Sequence, residues 1–178
     1  FNTTPPGNGA FIVKNSWGTS WGESGYFYAS YYDLSFGIEN TVFQAAQSTS
    51  NYSSVYQYDP LGWVSSYNTG GGKTGWMANI FTASDNKPLS AAGFYTTDDS
   101  VSYELRVYTD AVSGPVSGTL ALTQTGTVSV SGYHTVSLST PVQLSSGQKF
   151  SVVVKLVNPS FSYPLPLEYR LAGYTSGA

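Results

Sequence analysis

Tyr103-Glu104-Leu105-Arg106-Val107-Tyr108 alternates strictly: Tyr103, Leu105 and Val107 point to one side, Glu104, Arg106 and Tyr108 to the other. Successive side chains of a strand face opposite ways, so this period of two describes a strand with one buried face. Phe150, Val152, Val154 and Leu156 repeat the pattern, with Ser151, Val153, Lys155 and Val157 opposite. Outward from these two stretches, segments rich in strand-forming residues recur between Gly, Pro and Ser turn signals. They predict strands at 55–58, 76–83, 89–96, 102–108, 118–125, 128–138, 149–157 and 167–171. This half shows no convincing helix and no internal repeat. The expected fold class is mainly β, a jelly-roll-like two-sheet β-sandwich.

Composition agrees. Of 178 residues, 40% are hydrophobic, enough for a packed core, and only 10% are charged. Gly, Ser, Thr and an aromatic share of 16% fill the difference, a surface that suits an exported β-rich protein, extracellular or at the cell surface. Seven basic residues against ten acidic ones give a net charge of −3, and no basic face for a nucleic-acid partner is expected. No apolar stretch approaches the ~20 residues that span a bilayer, and the first residues do not read as a signal peptide. The start at Phe1-Asn2-Thr3 reads as a processed or truncated end. There are no cysteines, so disulfides, thiolate metal sites and a cysteine nucleophile are excluded from these residues. The sequons at Asn2 and Asn51 carry little weight in so Ser/Thr-rich a chain.

Residues 1–48 read differently from residues 49–178, with the polar patch 47–54 as the linker. The first part holds an apolar run, 10–13, an aromatic run, 25–32, and a further short strand expected at 41–46. Between the first two lies Lys14-Asn15-Ser16-Trp17-Gly18-Thr19-Ser20-Trp21-Gly22-Glu23-Ser24-Gly25-Tyr26. This block closely resembles the segment around the catalytic Asn of papain-family cysteine peptidases: an apolar strand, Lys-Asn-Ser-Trp-Gly, then Trp-Gly-x-x-Gly-Tyr. Its density leaves little room for the alternative, a plain hairpin with a tryptophan corner. The first part is accordingly expected to be the C-terminal β-segment of a papain-like fold.

The resemblance implies roles. A Cys–His peptidase needs its imidazole held with one nitrogen toward the thiolate, and an Asn oxygen accepts the other ring N–H without adding a full charge. Asn15 would be that orienting residue. Trp17 would shield the Asn–His bond from water, Trp21 would pack beneath the same corner, and Gly18 would supply a tight turn. The departure from the family is decisive for activity. There the Cys and the His both precede the Asn, whereas residues 1–14 contain neither, and the one histidine, His134, lies far downstream. The parent protein is expected to be a cysteine endopeptidase acting on peptide substrates, and this chain is inactive without an upstream fragment bearing Cys and His. Residues 10–32 are too apolar to hang free and are expected to pack on the sandwich or on that fragment.

From Val55 onward, Tyr58-Asp59-Pro60-Leu61-Gly62-Trp63, Ala92-Gly93-Phe94-Tyr95-Thr96 and Gly147-Gln148-Lys149-Phe150 resemble the lectin-like domain found C-terminal to papain-like peptidases of microbial surface proteins. The resemblance implies an accessory module with a surface glycan as possible partner. Trp63, Tyr67 and Trp76 are candidates for stacking sugar rings, with core or inter-domain packing as the competing use. Asp98 and Asp99 are a candidate calcium pair, against a plain reading as solvated turn acids; no other cofactor is expected. Gly70-Gly71-Gly72-Lys73-Thr74 imitates a phosphate loop, but Tyr67 stands where its first glycine belongs and a strand follows. His134 is read as a structural histidine. The remaining alternatives are an adhesion module and a structural spacer for the protease.

Overall fold

The computed structural model describes residues 6–37, 41–44, 46, 48–59 and 61–169. The chain divides into two compact units, Phe1–Asn51 and Tyr52–Ala178. Among the described residues there is no helix.

In the first unit, β1 (Ala10–Lys14) and β2 (Tyr26–Ser30) form an antiparallel hairpin, Ala10 opposite Ser30 and Lys14 opposite Tyr26. Residues 41–44 form no strand, and Ala45, inside the strand expected there, lies outside the described residues.

The second unit holds β3 (Ser65–Tyr67), β4 (Thr74–Thr82), β5 (Pro88–Thr96), β6 (Val101–Thr109), β7 (Thr119–Val128), β8 (Gly132–Gln143), β9 (Lys149–Val157) and β10 (Leu165–Leu167). The antiparallel pairs nest one inside the next: β3 with β10, β4 with β9, β5 with β8, and β6 with β7. A further pairing of β6 with β9 joins two of them into a four-stranded sheet of order β4-β9-β6-β7. The β5–β8 pair covers its inner face, and Phe94 of β5 meets Tyr103 of β6 with ring centroids 5.3 Å apart. A long hairpin folded over on itself in this way is the jelly-roll-like sandwich expected from the alternation.

The core is built by that alternation. Leu105, Val107, Phe150 and Leu156 are fully buried at 0% exposure, and Val101 joins them. Burying each such side chain is worth about 1.5–3 kcal/mol. Across the β6–β7 ladder the Tyr103 ring lies over its partner Gly126, where a larger residue would collide with it. The outward face is not uniformly wet. Val153 and Ser151 are also buried, the Ser151 hydroxyl donating to the Pro115 carbonyl.

Three expected strands differ. Residues 55–58 form none, because their aromatics are anchored by side chains and not by a backbone ladder. Tyr56 packs on Phe150 at 5.2 Å and bonds Ser84, while Tyr58 stacks on Phe81 at 4.9 Å and donates to the Ile80 carbonyl. The strand expected at 128–138 is split: Val128 ends β7, the chain turns, and β8 begins at Gly132, whose φ of +125° suits glycine. The last strand lies earlier than expected, at Leu165–Leu167, where β3, a strand the sequence did not announce, offers it a partner; residues 170 and 171 lie outside the described residues.

Leu105→Ala is expected to lower stability by about 2–5 kcal/mol, because the rigid sandwich leaves a cavity. Urea unfolding of the purified chain measures it, and a midpoint equal to that of the parent chain would contradict this account of the core.

Candidate functional site

The loop between β1 and β2 is organised around Asn15. Its backbone N–H donates to the Gly25 carbonyl at 2.8 Å, continuing the hairpin one rung past Lys14. Its side-chain oxygen accepts the Trp17 N–H at 2.8 Å, and its amide nitrogen donates to the Trp21 carbonyl at 3.3 Å. The Gly25 N–H closes on the same Trp21 carbonyl at 3.0 Å. The half-buried Asn15 amide is thus fixed in rotation, and its oxygen keeps a second lone pair. Trp17 and Trp21 meet edge to face at 5.1 Å, and Trp21 rests on Phe27 at 5.5 Å. Gly18 turns at φ +93° in open space; Gly25 has the same φ but is buried, and a Cβ there would sit 3.1 Å from the Gly18 carbonyl oxygen.

Much of this unit's apolar surface is exposed. Trp17 is 72% exposed and Phe43 97%, with Phe11, Ile12, Tyr28 and Leu34 also exposed. So many exposed aromatics and aliphatics in so short a segment make this face a candidate contact surface.

The sandwich residues singled out from sequence do not converge. Trp63 sits beside Tyr95 at 6.5 Å, and Tyr95 beside Tyr133 at 5.0 Å, on the outer side of the β5–β8 pair. Trp63 also donates from Nε1 to Ser66 Oγ at 3.1 Å. Tyr67 ends β3 opposite Leu165. Trp76 lies on the outer side of the four-stranded sheet, so Trp63 and Trp76 belong to different layers and form no joint platform. The companions missed from sequence were Tyr95 and Tyr133 for Trp63, and Arg106 and Lys155 for Trp76. Arg106 and Lys155 were legible as outward positions of their alternating strands; which aromatic they would meet was not.

Asp98 and Asp99 tie loops together. Asp98 Oδ2 accepts the N–H groups of Ser160 and Phe161 at 2.8 and 2.7 Å, and Oδ1 accepts that of Asp99 at 3.0 Å. Asp99 Oδ1 accepts the Ser131 N–H at 2.7 Å. Those bonds, the Phe161 one foremost, hold the Asp98 carboxyl below the usual carboxylate range. Among the described residues no cluster of three or more His, Cys, Asp or Glu side chains could hold a metal. The Gly70–Thr74 stretch is a turn feeding β4, with Lys73 Nζ donating to the Pro159 carbonyl at 2.6 Å. The His134 Nε2 lies 2.8 Å from the Val130 carbonyl oxygen.

Two families account for the two units. Residues 55–178 match the lectin like domain and residues 2–46 the papain family cysteine protease. The chain belongs to the lectin-like domain family and carries a papain-family segment ahead of that domain. Among solved structures it is similar to the clostridial cysteine protease Cwp84, in a cysteine-to-alanine variant after propeptide cleavage. That match has 28% identity and a TM-score of 0.72, and covers 96% of this chain and 42% of the other. A structure of the cysteine protease and lectin-like domains of Cwp84, described as a surface layer associated protein of Clostridium difficile, is 26% identical. Its TM-score is 0.53, with 96% of this chain and 38% of the other covered. The chain therefore spans less than half the length of either. No match was found among curated proteins. With no cysteine, the chain has no papain-type nucleophile of its own.

Because the Asp98 pKa is depressed on folding, its contribution is present above the ordinary carboxylate value and lost as pH falls through the lower folded value. Acid unfolding of Asp98→Ala should therefore be flatter than that of the parent chain within that window; parallel curves would contradict the loop-tying role. Gly25→Ala is expected to strain the loop by about 1–3 kcal/mol. The readout is loss of the dispersed Trp17 and Trp21 indole N–H signals in NMR, and an unchanged spectrum would contradict it.

Proposed function

We propose that this chain is the C-terminal portion of an exported papain-like cysteine peptidase, with residues 1–48 completing the peptidase domain and residues 49–178 forming its accessory lectin-like module. The observation that carries the reading is the Asn15 amide, fixed at both ends by Trp17 and Trp21 and keeping one acceptor lone pair for an imidazole N–H. The exposed face around it supports the same reading, since an upstream fragment bearing Cys and His would cover that face.

In the assembled enzyme the histidine takes the thiol proton and the thiolate attacks the peptide carbonyl. The imidazolium protonates the amine that leaves as the C–N bond breaks, and the imidazole then activates the water that hydrolyses the thioester. Asn15 holds the histidine's tautomer and direction, Trp17 keeps water from the Asn–His bond, and Trp21 and Gly18 support the loop. No cofactor is required for that chemistry. A location outside the cell or at its surface is supported by the hydroxyl- and tyrosine-rich composition and by the surface-layer description of one similar protein. In the second reading the sandwich is a surface-binding module, favoured by its two separate aromatic patches, around Trp63 and around Trp76. Calcium at Asp98 and Asp99 belongs to that second reading, and calcium titration of the chain tests it.

Mixing or co-expressing the chain with an upstream segment bearing Cys and His is expected to yield cleavage of a generic peptide substrate. Asn15→Ala should lower kcat by roughly 10²-fold or more, with little change in KM, since it removes orientation and not substrate contact. Failure of the assembled protein to cleave, or full activity of Asn15→Ala, would overturn the proposal.

A further inference from the structure

Trp76, Lys155 and Glu104 form one cross-strand row on the outer side of the four-stranded sheet, and Ala78, Val153 and Arg106 form the next. Arg106 approaches the Trp76 ring at 4.9 Å from its centroid and Lys155 at 5.5 Å. Beside them Pro115 and Val116 rise as a wall, enclosing with Trp76, Met77, Ala78, Arg106 and Val153 an open cleft of about 360 Å³. That volume lies within the range of small-ligand clefts, about 300–1,000 Å³. Arg106 is engaged by Glu104, with Nε 2.6 Å and Nη2 2.5 Å from Oε1. Lys155 makes no ion pair among the described residues. The cleft therefore presents a flat indole, 44% exposed, and an apolar floor, while Lys155, outside its lining, stands over the same indole as a positive charge without an ion pair among the described residues.

We propose that this cleft binds an acidic saccharide, with the C–H face of a sugar ring on Trp76 and the floor of Val153 and Ala78, and its carboxylate or phosphate at Lys155 Nζ. The inference rests on the reading of the sandwich as a binding module and is independent of the peptidase chemistry. Arg106 and Lys155 both lie over the indole, so a stacked sugar requires one of these two flexible side chains to swing aside. Charge complementarity selects an anionic ring over a neutral one. Strands β9 and β6 beneath the floor are paired on both sides, whereas β4 is the edge of the sheet. An extended peptide added along β4 is therefore the competing occupant that the acidic-peptide titration separates from a sugar.

Calorimetric titration of the full chain tests this with a uronic-acid oligosaccharide, its neutral methyl ester, a sugar phosphate and an acidic peptide. At least one anionic sugar should bind at least about tenfold more tightly than the neutral ester, a difference of ~1.4 kcal/mol. The uronate and phosphate arms report which anion is preferred. Trp76→Ala and Lys155→Gln should each weaken that binding about tenfold or more, Trp76→Phe less, and Tyr52→Ala, at an exposed tyrosine that belongs to neither aromatic patch, should leave it unchanged. Added salt should weaken it through the Lys155 contact. Equal binding of the ester, tighter binding of the peptide, or indifference to Trp76→Ala in a folded variant would overturn the proposal. Glycan binding lost in Trp63→Ala but kept in Trp76→Ala would sink this site and leave the binding-module reading standing. No binding of any sugar would remove this site and the carbohydrate version of the binding-module reading, and the cleavage test above would still decide the peptidase reading by itself.

Discussion

The inner row of β6 is the contact on which the sandwich depends. Val101, Tyr103, Leu105 and Val107 are buried there, while the backbone of the same strand is paired on one side with β7 and on the other with β9. Sliding β6 by one residue would carry all four side chains to the outer face and bring Glu104 and Arg106 inside. The cost of burying that charge pair in an apolar core fixes the register of β6, and through it that of β7 and β9. The nested pairs β4–β9 and β5–β8 then follow as the chain doubles back around the same core.

That register also decides the surface. Once Leu105 and Val107 face inward, Glu104 and Arg106 must face out, and the pairing of β9 sets Lys155 and Val153 beside them. Trp76 arrives from β4, opposite Lys155. A cation-flanked tryptophan is thus a by-product of strand pairing, requiring no loop of its own. On the other layer, Tyr95 and Tyr133 stand opposite each other across β5 and β8, and Trp63 joins them from the segment before β3. Burial raises the Tyr95 pKa, with Tyr133 and Asp59 adding to it.

The hairpin of the first unit works by different means. It has little core of its own, and Ala29 is its one buried apolar strand residue among those described. Polar contacts hold its loop instead: one asparagine spans residues 17, 21 and 25 with its backbone and both side-chain ends. A loop so tied keeps its shape while the aromatics around it stay uncovered. The loop thus owes its shape to hydrogen bonds, whereas the sandwich owes its own to a buried core.

The sequence by itself determined the strands whose period is cleanest, the division into a papain-like piece and a lectin-like module, and the absence of a cysteine nucleophile from these residues. The alternation at 103–108 and at 149–157 was legible because each inward residue pays its own burial, position by position. The Asn15 block was legible because a tight loop with two tryptophans and three glycines tolerates few other sequences. What only the tertiary structure decided was anything that depends on distant partners. Residues 55–58 looked like a strand but are anchored by tyrosine side chains to Phe81 and Phe150, and the short β3 exists because β10 is there to pair with it. Trp63 and Trp76 looked equivalent in sequence and ended on opposite layers, since the layer a residue joins is set by which strands pair across the chain. Local pattern fixes which way a side chain points; only long-range pairing fixes what it points toward.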